Sequence, residues 1–232
     1  MKLHRFITSI DLNKKHIGLD QKDLVHQIRN VLKLKVGEFF ILGNGEELET
    51  IARIESFEKN KINLSLGEVM QNKNEPKVKS HLFCSVLKKE NFEWVVEKAT
   101  EIGISSITPI IATRTVKTNL SHERLLKITK EAAEQSGRGI IPKINEIIPL
   151  KDAIIEAQKL EHVIVFDLRG KQIEIKDGIK EIAGFIGPEG GFDDEELLLF
   201  QGEGFKIINL GPLTMRGETS AAIASYLITY PK

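Results

Sequence analysis

The chain carries one cysteine, Cys84, in 232 residues. A lone cysteine excludes an intramolecular disulfide framework and a zinc site built on cysteine ligands. It stands in the apolar run Leu82-Phe83-Cys84-Ser85-Val86-Leu87, where a free thiol packs as a small hydrophobe, so a buried core position is expected. No apolar run approaches the roughly 20 residues that would cross a bilayer, and no signal-peptide pattern opens the chain. A soluble cytoplasmic protein is the expectation. Net charge is also lacking: 33 Lys and Arg balance 33 Asp and Glu, so a polyanionic partner has to be met by a local patch. The six histidines stand singly, without metal-ligand spacing, and no metal site is expected. Neither a dinucleotide fingerprint nor a phosphate-binding P-loop occurs. Internal repeats and low-complexity tracts are missing too.

An apolar fraction of 41% over this length supplies a core for one large or two modest domains. Charge is unevenly spread. Residues 1–40 hold eight Lys and Arg against four Asp and Glu, whereas residues 181–232 hold eight acids against three bases, which points to a basic N-terminal face. Residues 6–7, 38–42, 48–54 and 61–69 read as short strands around one amphipathic helix at 21–32, with a turn at Gly43-Asn44-Gly45, and this suggests a small β-barrel. The polar, proline-bearing stretch Gln71-Asn72-Lys73-Asn74-Glu75-Pro76-Lys77 predicts a domain boundary, giving domains of residues 1–72 and 73–232. Beyond it, strands at 82–87, 107–111, 163–166, 181–186 and 206–210 alternate with helices at 90–101, 122–135, 153–159, 194–201 and 217–228. That alternation calls for a mainly parallel α/β sheet.

Two strand-terminal loops stand out. Gly187-Pro188-Glu189-Gly190-Gly191 follows a strand and precedes an acid-opened helix capped by Asp193; its glycines let backbone approach a ligand closely. Leu210-Gly211-Pro212-Leu213-Thr214-Met215-Arg216-Gly217-Glu218-Thr219 leads from the last strand to the small-residue helix of Ala221, Ala222, Ala224 and Ser225. Set side by side, the two loops would wall one pocket. Read as helix neighbours at i,i+2, Arg216 and Glu218 would face different partners. The small residues of that last helix suit tight packing on another helix, such as one from a second subunit. Two further segments carry polar clusters: Trp94, Glu97 and Glu101 at helical spacing, and Glu131-Ala132-Ala133-Glu134-Gln135-Ser136-Gly137-Arg138, where Arg138 lies past a helix stop and is placed to cap carbonyls or meet an anion.

Together these segments resemble the bacterial 16S ribosomal RNA uridine-N3 methyltransferases, the RsmE family of the knotted SPOUT superfamily. The likeness is carried by Phe185-Ile186-Gly187-Pro188-Glu189-Gly190-Gly191-Phe192, by Leu210-Gly211-Pro212 with Arg216-x-Glu218-Thr219, and by Trp94-x-x-Glu97-Lys98-x-Thr100-Glu101-x-Gly103. It extends through the 131–138 segment to His4-Arg5-Phe6 and Val31-Leu32-Lys33-Leu34-Lys35-Val36-Gly37, and so spans nearly the whole chain. The chain departs from the family pattern at Leu213, where an arginine is frequent, at Gly217, where threonine is frequent, and at Ser220, where alanine is.

The resemblance implies an N-terminal PUA-like β-barrel that holds RNA, and a parallel-sheet SPOUT methyltransferase domain with a C-terminal trefoil knot. It implies a homodimer and S-adenosylmethionine as cofactor, bound by Gly187, Glu189 and Gly190 of one loop and Leu210, Gly211, Leu213, Met215 and Arg216 of the other. The expected reaction is methylation of N3 of a uridine in 16S ribosomal RNA of the small subunit. Glu218 is the first candidate base and Glu189 the second, while Arg216 and Thr219 face the uracil or the partner subunit. Arg5, Arg29, Lys33, Lys35 and Arg138 are candidate RNA contacts. Competing readings are a ribose 2′-O-methyltransferase of the same superfamily and a non-catalytic RNA-binding or ribosome-assembly module.

Overall fold

A computed structural model describes residues 3–116, 119–172, 175 and 178–231. The chain divides into two units, the first comprising Met1–Glu75 with Glu134–Ile140 and the second Pro76–Ala133 with Ile141–Lys232.

In the first unit β1 (Arg5–Ile7), β2 (His16–Leu19), β3 (Phe39–Gly43), β4 (Leu48–Glu58) and β5 (Lys61–Gln71) form one sheet in the order β1-β3-β4-β5-β2. Only β1–β3 is parallel among these pairs; the others are antiparallel. Alternation in β4 sends Ala52 and Ile54 inward and Ile51 and Arg53 outward, the period of a half-buried strand. Phe6, Phe40, Leu42, Ile62 and Leu64 complete the core with Leu24 and Ile28. Each such fully buried side chain contributes roughly 1.5–3 kcal/mol. The helix expected over 21–32 is α1 (Lys22–His26), running into a π-helical turn at Gln27–Val31. There Leu32 N–H donates to Gln27 O across five residues. The wider turn rotates the end of the helix, so Val31, which a regular α-helix would place with Leu24 and Ile28, is 62% exposed. Strand β2 was not anticipated from the sequence, because His16-Ile17-Gly18-Leu19 buries only its last residue.

The second unit holds β6 (Lys79–Ser85), α2 (Lys89–Ile102), β7 (Ser106–Ile111), α3 (His122–Ser136), β8 (Lys143–Ile144), β9 (Ile148–Pro149), α4 (Leu150–Ala157), β10 (His162–Gln172), β11 (Glu181–Ile186), α5 (Asp194–Gly202), β12 (Lys206–Asn209) and α6 (Gly217–Thr229). The last turn of α3 is counted with the first unit. The strand order is β12-β10-β11-β6-β7-β8, with β9 also on β7, and every pairing is parallel. Parallel strands buried on both faces read as continuous apolar runs. Leu82, Cys84, Ile164 and Ile182 face one layer with α2 and α6, while Phe83, Val165, Ala183 and Phe185 face the other with α4 and α5. Cys84 is fully buried as expected, and burial, followed by the charge of Glu189, pushes its thiol far above the ordinary range.

Between Phe166 and Lys171 the pairing of β10 with β12 is interrupted, and the chain makes an excursion before rejoining the same neighbour. Gly170 sits there against bare backbone: a Cβ would lie 2.6 Å from both the N and C atoms of Ile208. Only glycine permits that approach.

Candidate active site

In a parallel α/β sheet the loops leaving the carboxyl ends of the strands form the natural crevice. Here the loops after β7, β11 and β12 meet the outer part of β10 in a cleft of about 450 Å³. The β11 loop supplies Gly187 to Gly191, the β12 loop Leu210, Leu213, Thr214 and Met215, the start of α6 Gly217 and Ser220, the irregular stretch within β10 Phe166 to Arg169, and the β7 loop Arg114.

The β11 loop is held tightly. Gly191 N–H donates to Pro188 O at 2.8 Å. A Cβ on Gly187 would stand 3.1 Å from the amide nitrogen of Phe192, so a side chain there would crowd the turn's own backbone. Downstream, Asp193 caps α5: its carboxylate accepts from Glu196 N–H at 2.8 Å, and Glu196 accepts from Asp193 N–H at 2.9 Å. This reciprocal box satisfies donors that the helix start leaves open. Glu196, only 5% exposed, also accepts from Thr113 N–H at 2.7 Å and so joins the β7 loop to the β11 loop. Asp193 is held below its ordinary value chiefly by the Glu196 amide.

The irregular stretch of β10 at 166–169 was not singled out from the sequence. Asp167 accepts from Arg169 Nε at 2.8 Å and Nη2 at 3.0 Å, while Arg169 also donates to Asp194 at 2.7 Å and to Phe192 O at 2.6 Å. Burial raises the Asp167 carboxyl, but the hydrogen bonds and charge of Arg169, with help from Arg114, outweigh it and hold the group below its ordinary value. The usable signal was position alone, since Asp167 directly follows the strand predicted at 163–166. Arg114 was missed for the same reason, three residues past the strand predicted at 107–111.

Of the cofactor candidates, Gly187, Glu189, Gly190, Leu210, Leu213 and Met215 line the cleft; Gly211 and Arg216 do not. Gly211 N–H donates to Asn209 Oδ1 at 2.9 Å, which shapes the exit of β12. Leu213 is 74% exposed for an apolar side chain at a cleft mouth. Glu189 is exposed and accepts from Lys88 N–H at 3.1 Å, the residue preceding α2. Arg216 and Glu218 do not diverge as the i,i+2 reading supposed. Arg216 stands before the helix in an extended conformation, which lets its guanidinium come within 4.0 Å of Glu218. The arginine side chain is 85% exposed and the glutamate 16%. Thr219 is exposed one residue on.

The basic candidates of the first unit fall into two groups. Lys33 and Lys35 are exposed, and Arg29 lies over the Phe57 ring at 4.9 Å, a cation–π arrangement, with its Nη1 donating to Lys59 O at 3.4 Å. Arg5 is paired with Glu49 and largely buried. Arg138, expected to meet RNA, is corrected by its surroundings. It is 4% exposed, donates to Glu75 Oε2 at 2.9 Å, and belongs to a polar cluster in which Glu75 also accepts from Gly139 N–H at 2.9 Å and Ile140 N–H at 3.1 Å. A guanidinium so enclosed serves the fold.

No helix among the described residues is long and apolar enough to cross a membrane, and no cluster of metal-ligating side chains occurs among them. Residues 73–229 match the family described as RNA methyltransferase domain. The ribosomal RNA small subunit methyltransferase E of Rickettsia conorii is 32% identical over 97% of this chain and 94% of its own length. The Mesomycoplasma hyopneumoniae protein of the same name is 38% identical over 66% of this chain and 70% of its own. A methyltransferase of Legionella pneumophila, solved with bound S-adenosylmethionine, superposes with a TM-score of 0.88 at 28% identity, covering 98% of this chain and 97% of that one.

Proposed function

From the premise that this chain belongs to the ribosomal RNA small subunit methyltransferase E family, we propose that it methylates N3 of a uridine in 16S ribosomal RNA with S-adenosylmethionine as donor. The observation that carries this reading is the cleft in which the Gly187–Gly191 backbone faces the apolar wall of Phe166, Leu210 and Met215. Such a cleft fits the cofactor: apolar walls for an adenine, open backbone at a glycine turn, and charged groups for an amino-acid tail. Gly187, Glu189, Gly190, Leu210, Leu213 and Met215 would hold it, with Gly211 shaping the loop.

When bound, the cofactor supplies an already activated methyl group on a sulfonium. What the chain adds is alignment, which can be worth roughly 7–11 kcal/mol, and removal of the N3 proton. Glu218 is the proposed base. Its carboxylate is sheltered at 16% exposure at the start of α6, whereas Glu189 is exposed and bound to Lys88 N–H and stands second. Arg216, extended into solvent beside Glu218, is placed to face the carbonyl oxygens of a uracil losing its proton, and Thr219 lies next to it. Because N3 is a pairing edge, the uridine has to be unpaired or turned out of its helix.

The finer architecture belongs to this proposal as well. The excursion of β10 at Gly170 against the β12 backbone supports a trefoil threading of the last strands. The five-stranded sheet, with Arg29, Lys33 and Lys35 on the helical turn and loop that precede β3, supports a PUA-like barrel holding RNA, with the domain change near residue 72. Half-exposed Tyr226 on α6 and Tyr230 just past its end, with rings 5.2 Å apart, and Trp94 on α2 support a homodimer through these helices, to be checked by sedimentation equilibrium. The place of action would be the cytoplasm.

The test is nucleoside analysis after incubating the protein with labelled S-adenosylmethionine and small ribosomal subunits that lack the modification. A base-methylated 3-methyluridine is expected. A ribose-methylated product would transfer the protein to the 2′-O class, and absence of cofactor binding by calorimetry would leave only a binding module.

A further inference from the structure

Four charged side chains line the cleft, and three are already committed. Asp167 is held by two Arg169 side-chain bonds and by Arg169 N–H at 3.0 Å. Arg169 engages Nε, Nη1 and Nη2 on Asp167, Asp194 and Phe192 O. Glu189 receives Lys88 N–H. Arg114 differs. Its hydrogen bond among the described residues runs from Nη1 to Gly190 O at 2.7 Å, and its other guanidinium N–H groups have no acceptor there.

The turn that carries this exposed arginine is fixed. Ala112 N–H donates to Thr115 Oγ1 and Thr115 N–H to Ala112 O, both at 3.0 Å, while Thr113 N–H is fixed on Glu196. The arginine stem lies on Gly190, where a Cβ would come within 3.2 Å of Arg114 Cδ. The carboxylates of Asp167 and Asp193 feel its charge, but the first is bonded to Arg169 and the second to Glu196 N–H. A fixed cation with spare donors at the edge of an apolar cleft calls for a carboxylate on the ligand.

Resting on the cofactor reading above, we propose that Arg114 binds the carboxylate of the methionyl tail of S-adenosylmethionine and makes the cleft selective for ligands that carry it. Decarboxylated S-adenosylmethionine keeps the adenosine, the sulfonium and the terminal ammonium, and so isolates this one group. The variant Arg114→Gln keeps a donor for Gly190 O while removing the charge.

Binding of both ligands to wild type and Arg114→Gln is measured by calorimetry. The variant is expected to lose about 10- to 100-fold in affinity for S-adenosylmethionine and less than about threefold for the decarboxylated ligand, the loss of one charge-assisted contact. Arg114→Lys should recover part of the difference. Equal losses for both ligands would reduce Arg114 to a clamp on the Gly190 loop and overturn the proposal. Unchanged affinity for both, with weaker RNA binding, would make the anion a phosphate and overturn it too. Failure of wild type to bind either ligand would overturn it together with the cofactor reading, a result distinct from the others.

Discussion

The cleft of the second unit and the surface of the first are built on opposite plans. Around the cleft, recognition is made from backbone and from an arginine tied down at several points: Gly187 in a turn that a Cβ would crowd, Arg169 spread over Asp167, Asp194 and Phe192 O. On the first unit, Lys33 and Lys35 stand in solvent. Fixed groups recognise a shape, and mobile cations recognise a charge density. One region should therefore fail abruptly on a single atom's change, and the other should weaken by degrees.

The contrast breaks most readily at the chemical residues. Glu218→Gln should lower the methylation rate by about 10²- to 10⁴-fold with cofactor affinity unchanged; single-turnover kinetics beside calorimetry check this, and a wild-type rate would remove Glu218 as the base. Next comes the interior of the first unit, which is not built like its surface. Glu75→Gln takes the carboxylate from under a 4% exposed guanidinium and should cost about 3–5 kcal/mol in urea unfolding. In the second unit Gly170→Ala puts a methyl group into the β12 backbone and should cost about 1–3 kcal/mol, seen in the same assay. If it proves neutral, the close crossing is more yielding than the geometry implies.

Acid sharpens the comparison further. The Asp167 carboxyl is held below its ordinary value of 3.8, so its contribution to stability is complete above that pH and is lost as pH falls through the lower folded value. Asp167→Asn should melt earlier than wild type at neutral pH, and the two should converge in acid, as thermal scans across pH would record. The smallest effect belongs to the exposed cations. Lys33→Gln or Lys35→Gln should leave cofactor binding intact and reduce the slope of log affinity for RNA against log salt by about 0.7 to 1.

The second unit was largely legible because its signals are local. Continuous apolar runs announce buried parallel strands, and where one is closed by a glycine and proline loop, as Ala183 to Ile186 is, they announce the pocket at the strand end as well. Gly103 stops α2, in a left-handed conformation at φ 112°. What escaped depends on partners distant in sequence. Asp167-Leu168-Arg169 has no glycine signature, and its importance lies in an arginine that reaches Phe192 and Asp194. Arg138 looks like a free cation until Glu75, 63 residues earlier, is brought to it. The π turn at Gln27–Val31 leaves no mark in a hydrophobic pattern that suits an ordinary helix equally well.

The first unit is not finished by its own stretch of chain. Ile7 N–H donates to Glu134, Asn72 and Asn74 both donate to Gly137 O, and Glu75 waits for Arg138. On a translating ribosome, residues up to Glu75 emerge well before residues 134–140, and at about 5–20 residues per second the interval is roughly 3–13 s. During that interval the nascent N-terminal sheet has to persist without the partners that Ile7 N–H, Asn74 and Glu75 find in residues 134–140. Its completion is thus timed by synthesis of the unit that comes after it.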